Sequence, residues 1–394
     1  MQLEPLLIKQ LRSAARTGRL VDIAKQLCSI YSPTGNGKEV ADCLAEILGA
    51  EGLSVERPDG GWTKAPAVAV RLDSGQTGRT LQLDGHLDTV HLPFVPPAVD
   101  GDRLTGSGSS DMKAGVAAAV EAVLVLRDTG LLSAGSVLLT AHDLHEAPWG
   151  DNSQLEGLIA AGYVGHGVLI SEYLRDHLAV VGRGMAILKV TISRDGPPVH
   201  EVYRPANEPS VIAAGAQVVN RFAALARELE ERSDAIAGSE SIFVGHIQSG
   251  EIYNQYPQTC RIEGTRRWLP SNERHAVESQ FRQILRDVAD ESGASIEGVF
   301  HFVRDAFYLN EADPLVAAFD AACVAVSQKA LPRGGKPFVD DGNTFWARAG
   351  VPAITHGPKG GGAHTLEEWV SIEDLARVAV TYAATAVAYC GASS

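Results

Sequence analysis

LQLDGHLDT, residues 81–89, begins as an apolar run, stops at Gly85, and then places His86 and Asp88 two residues apart. A run of this kind bounded by glycine predicts a buried strand that ends near Asp84. His86 and Asp88 then stand at its carboxyl end, where open α/β sheets bind their ligands. An imidazole and a carboxylate at this spacing suit metal chemistry, one ligating and the other orienting a ligand. A surface turn that happens to carry both residues is the plainer alternative.

Working outward, further short β-rich runs occur at 67–72, 136–141 and 167–171, with helical patterns at 112–126 and 153–161. Amphipathic helices are predicted over 4–30 and 37–53, separated by the turn Ser32-Pro33-Thr34-Gly35. Strands alternating with helices predict a mainly parallel sheet covered on both faces. Near Gly182 the style changes. Strands at 186–193, 241–248 and 259–267 and helices at 209–231 and 272–291 fit a β-α-β-β-α-β insert. The α/β style then returns with a helix at 314–328, a strand near 352–356 and a last helix at 372–389. Gly334-Gly335 and Gly360–Gly362 read as loops. The expected organisation is an α/β catalytic domain, residues 1–182 and 306–394, interrupted by a smaller α+β ferredoxin-like domain, residues 183–305.

Composition narrows the function. The chain has 394 residues, 45% of them hydrophobic and 21% charged, which is ordinary for a globular protein. Lys and Arg number 34 against 48 Asp and Glu, a net charge of −14. Nucleic-acid and anionic-membrane binders usually carry a basic excess, so neither partner is expected. The five cysteines are scattered and form no C-x-x-C pair, so a reducing, cytoplasmic setting is expected. The first 20 residues carry charges throughout and lack the apolar core of a signal peptide, and no run of about 18 apolar residues predicts a membrane span.

Four more stretches carry ionisable groups at predicted loop positions. GSGSSDMKAG, 106–115, places Asp111 before a buried helix, either as a cap or as a metal-bridging carboxylate. TAHDLHEAPWG, 140–150, holds His142, Asp143, His145 and Glu146. Glu172 follows an apolar strand in LISEYLRD, and His364 sits in the loop GPKGGGAHTLEEW. In order, His, Asp, Asp, Glu, Glu and His form the mixed donor set that two divalent ions take, with one carboxylate shared. No G-x-S-x-G elbow is present, and no cysteine lies in a setting that suits a Cys-His pair.

With GHLDT and SSDMKAG at this order and spacing, the chain resembles the co-catalytic zinc aminoacylase and carboxypeptidase family. That family includes acetylornithine deacetylase, succinyl-diaminopimelate desuccinylase and glutamate carboxypeptidase. The resemblance runs from Ser32 to the final helix. It implies that His86 and Glu172 hold one metal, that Glu146 and His364 hold the other, and that Asp111 bridges. It also implies that Asp88 supports His86. In the insert, a lid that often forms the dimer interface, His200 in GPPVHE matches the histidine that reaches the partner's site and polarises the scissile carbonyl. Asn254 in GEIYNQYP and Arg267 in GTRRWLP match substrate-binding positions, Arg267 for a substrate carboxylate. Arg266 beside it leaves the register open by one residue.

The chain departs from the family at two places. Where the family has two adjacent glutamates, base then ligand, this chain reads His145-Glu146. His145 takes the proton itself, since imidazole titrates near pH 6.5 in water; or Glu146 is the base and one metal is absent or weak; or the chemistry has moved away from amides. Tyr173 follows Glu172 where the family tends to have proline, and with Trp149 offers an aromatic wall. The expected activity is hydrolysis of the amide C–N bond of a small N-acyl amino acid or dipeptide-like substrate by metal-activated water. It uses one or two divalent ions per chain, zinc first, manganese or cobalt otherwise, in a homodimer. The alternatives are a metal-dependent aminohydrolase acting on an aromatic or heterocyclic amine, and a non-catalytic metal- or peptide-binding relative.

Overall fold

A computed structural model describes residues 3–391; the outermost ends of the expected catalytic segments, 1–2 and 392–394, lie outside the described residues. The chain divides into two compact units. One comprises Met1–Val180, Leu309–Gly334 and Asp340–Ser394, the other Val181–Tyr308 and Gly335–Val339.

The first unit is built on a six-stranded sheet. Its order is Val55–Glu56, Val68–Asp73, Ser136–His142, Thr80–His86, Gly167–Ile170 and Ala353–Thr355. The last four strands run parallel; Val68–Asp73 pairs antiparallel with Ser136–His142, and Val55–Glu56 pairs antiparallel with Val68–Asp73 at the edge. The strands Thr80–His86 and Ser136–His142 are buried almost end to end, as strands covered on both faces must be. Thr80–His86 runs two residues beyond the predicted end at Asp84, so His86 is its last residue and lies directly opposite His142.

The helix Lys113–Thr129 packs on this sheet, and every residue from Lys113 to Leu126 is buried. Its alanine-rich face allows close approach. A Cβ at Gly115 would lie 2.0 Å from the carbonyl oxygen of Ser171, so only glycine fits there. The predicted N-terminal helix is two helices, Pro5–Ala14 and Thr17–Cys28. The apolar period continues through the break, but buried Glu121 takes the Arg16 backbone N–H at 2.7 Å and the Arg19 guanidinium at 2.8 Å. That interaction holds Arg16 extended. Two predicted loops are short strands: Arg333–Lys336 contains Gly334-Gly335, and Gly360–Gly361 pairs with Trp369–Ser371.

The second unit has a four-stranded antiparallel sheet ordered Ser241–Ser249, Thr259–Trp268, Gly184–Ser193, Ser295–Arg304. Helices Val211–Glu230 and Arg274–Ser292 complete a βαββαβ chain order, the ferredoxin-like arrangement. Its core joins Leu188, Val190 and Ile192 from the central strand to Phe222 and Phe281 from the helices. That strand alternates buried and half-buried positions, because one face meets the helices.

Candidate metal centre

The carboxyl ends of the parallel strands gather His86, Asp111, His145, Glu146 and Glu172 into one buried cluster. His86 donates from Nδ1 to the Asp88 carbonyl, 2.9 Å away, which turns Nε2 toward the cluster. Nε2 then faces Asp111 Oδ1 at 3.1 Å and Glu172 Oε1 at 3.5 Å. The other oxygen of Asp111 faces His364 Nε2 at 3.2 Å, and His364 Nε2 also faces Glu146 Oε2 at 3.2 Å. Two donor triads therefore share Asp111.

Local structure explains these positions. Asp111 does not cap the helix after it: Met112 holds the cap position, without a side-chain cap bond. Glu368 accepts the backbone N–H groups of Ser110 and Asp111 and so anchors the loop that carries Asp111. His364 adopts left-handed backbone, φ 61°, in its glycine-rich loop, and half of its side chain is exposed. The Asp88 carboxylate accepts the backbone N–H groups of His145 and Glu146 at 3.1 and 3.0 Å. Asp88 thus orients His86 through its main chain and the next strand's loop through its side chain.

Charge is concentrated here. Burial works against ionisation of Asp111, but His364 and His86 overcome it and hold its carboxyl below the usual carboxylate range. Burial, with Asp111 beside it, pushes Glu172 up to about 7. Hydrogen bonds to Asp111 and Glu146 raise His364 to about 11. Glu172 Oε2 is buried, with no hydrogen-bond partner among the described residues. Carboxylates and imidazoles facing one another at 3.1–3.5 Å, with a buried oxygen left over, form a donor set that fits divalent cations.

His145 stacks on His86 with ring centroids 3.9 Å apart. Its Nδ1 donates to Asp341 Oδ1 at 2.8 Å, and its Nε2 is 3.9 Å from Glu172 Oε1. Asp341 escaped the sequence reading. The only signal was the adjacent acids of VDDGNTF, nearly two hundred residues from His145. Asp143 is a brace: it accepts the N–H groups of Gly35 and Gly37, tying the SPTG turn to the sheet. Trp149 stacks on His91 at 4.4 Å, whereas Tyr173 lies near Asp111 and Glu172, whose charges add to burial in raising its hydroxyl pKa.

His200, Asn254 and Arg267 belong to the second unit. Asn254 Nδ2 lies 3.0 Å from His200 Nε2, so the fold brings these two together. Arg266 is fully buried and paired with Glu240 at 2.7 Å. Arg267 is half-buried; burial and nearby Arg183 lower its pKa, and it has no carboxylate partner among the described residues. The two neighbours are therefore in different settings.

A parallel sheet carrying a shared carboxylate between two imidazoles defines a metallohydrolase. The model of peptidase family M20/M25/M40 matches residues 82–388, and the chain belongs to that family. A peptidase M20 domain-containing protein of Schizosaccharomyces pombe is 37% identical over 122 residues, 30% of this chain and 30% of that protein. Acetylornithine deacetylase of Myxococcus xanthus is 26% identical over 87% of this chain and 90% of its own. In fold, human carnosine dipeptidase 1 superposes with a TM-score of 0.77 at 15% identity, over 98% of each chain. The protein is thus a hydrolase acting on C–N bonds. Among the described residues no helix is long and apolar enough to cross a membrane.

Proposed function

We propose that the enzyme hydrolyses the amide bond of a small N-acyl amino acid or dipeptide-like substrate, with two divalent ions shared across Asp111. The carrying observation is the placement of one Asp111 oxygen before each of two imidazoles, at 3.1 and 3.2 Å. His86 and Glu172 would hold one ion, His364 and Glu146 the other; zinc suits these donors first, manganese or cobalt otherwise. When bound, the ions polarise the carbonyl and make water acidic enough to attack at neutral pH.

The protein's own groups handle the proton. With Nδ1–H committed to Asp341, His145 presents Nε2 as its proton-accepting nitrogen. The same division of labour orients the histidine of a catalytic triad. His145 removes the proton as water oxygen bonds to the carbonyl carbon, then returns it to the nitrogen as the C–N bond breaks. The products are a carboxylic acid and an amine. Glu146 is left as a ligand. Residues 183–305 form a lid and dimerisation domain. Within it Asn254 steadies His200, which polarises the carbonyl from a second copy of the chain, and Arg267 receives a substrate carboxylate through two bonds. The five free cysteines suit a reducing, cytoplasmic setting.

The test is a panel of N-acyl amino acids and dipeptides with zinc- or manganese-loaded enzyme. Amide cleavage is expected, and His145→Ala should reduce it by about 10²–10⁴-fold, the usual scale for a general base. His145→Glu should retain much of it. Ammonia release from an aromatic amine, with no amide cleaved, would overturn the reading.

A further inference from the structure

Behind the candidate centre lies a second cluster that this mechanism touches only through Asp341. Asp84, His142 and Asp341 are each 1% exposed or less. His142 Nε2 faces Asp341 Oδ2 at 3.3 Å and Asp84 Oδ2 at 3.5 Å. Among the described residues neither His142 Nε2 nor Asp84 Oδ2 has a hydrogen-bond partner. The far side of each residue is anchored. His142 Nδ1 donates to the Asp143 carbonyl at 3.1 Å, Thr140 Oγ1 donates to Asp84 Oδ1, and Asp341 Oδ1 accepts from His145 Nδ1 at 2.8 Å.

With Nδ1–H given to a carbonyl, a neutral His142 turns a lone pair toward two carboxylate oxygens. Three electron-rich atoms cannot face each other in a dry interior without a cation between them. A proton on Nε2 serves this arrangement poorly. It reaches one oxygen at a time, both oxygens stand beyond the roughly 2.7–2.9 Å of a charge-assisted hydrogen bond, and one negative charge stays buried. A divalent ion neutralises both carboxylates. A zinc ion about 2.0–2.2 Å from each donor in tetrahedral geometry sets the donors about 3.3–3.6 Å apart; His142 Nε2 stands at that spacing from both oxygens, and all three donor atoms lie within 4.8 Å of one another.

We propose that Asp84, His142 and Asp341 form a third cation site: a closed, zinc-type ion bound during folding that fixes Asp341 and, through it, the orientation of His145. Asp341 is in this sense a positioning residue. The site is independent of which acyl group the enzyme removes.

Full-length enzyme from zinc-supplemented medium, freed of loose metal by gel filtration, should lose one equivalent of zinc per chain on His142→Gln. The His86→Ala/His364→Ala double variant should still hold one. His142→Gln with wild-type metal content overturns the proposal. If that variant does not fold, anomalous diffraction at the zinc edge from wild-type crystals decides. A peak about 2.1 Å from His142 Nε2 and both oxygens supports the site; no peak there means that the cation is a proton and overturns it.

Discussion

The two clusters are built from the same kinds of side chain around histidines on two neighbouring strands. His86 and His142 sit opposite each other in parallel register, each gives its Nδ1 proton to a main-chain carbonyl, and each turns Nε2 toward two carboxylates. They differ in closure. The outer cluster includes His364, half-exposed on a glycine-rich loop, whereas the inner one has no exposed member. An ion that must meet substrate needs an open side, and an ion that only fixes geometry is better sealed. The same donor chemistry thus serves reaction in one place and rigidity in the other.

The sharpest way to break this contrast is Asp111→Asn. Steady-state kinetics should show kcat/KM lower by about 10³-fold, the upper range for removing a preorganised charged group from an active site. Elemental analysis should show the outer ions reduced and the inner ion kept; loss of all three together would mean that the clusters are one site. Asp341→Asn comes next, because Asp341 belongs to the inner cluster and touches the outer one through His145. It should lower kcat by about 10–100-fold, as disturbed support of a metal site does, and release the inner ion alone. Timed chelation should separate the clusters kinetically: activity falls with the first ions removed, and the last ion leaves only when circular dichroism reports unfolding.

The paired arginines of the second unit repeat the contrast without metal. Arg266→Ala strands Glu240 and should cost about 3–5 kcal/mol in a denaturant titration, as breaking a buried ion pair does. Arg267→Ala should leave stability nearly unchanged and raise KM about 10-fold, the scale of one charge-assisted hydrogen bond. Equal effects at the two positions would remove Arg267 from the substrate site.

The outer cluster was legible because its residues sit in loops after apolar runs, where an ionisable group stands out against glycine and serine. His86, Asp111, Glu146, Glu172 and His364 were all found in this way, and the structure gathers them. The inner cluster was not legible. Asp84 closes a run that reads as core strand, and His142, which the structure makes the last residue of its strand, stands out in the sequence only as one of four ionisable groups after an apolar run. Asp341 comes from a turn whose proximity to His145 exists only in the folded chain. The ferredoxin-like order of the second unit followed directly from its alternation of patterns. The break at Arg16 did not, because its cause is Glu121, a buried acid a hundred residues away that overrides an intact amphipathic period.

Gly115 touches no candidate ligand, yet its contact with Ser171 lies between Asp111, four residues before it, and Glu172, the next residue after Ser171. The bite between these two carboxylates is therefore set by a backbone clearance that a single methyl group would spoil. Glycine at 115 thus holds the spacing of two candidate ligands from a position that touches neither of them.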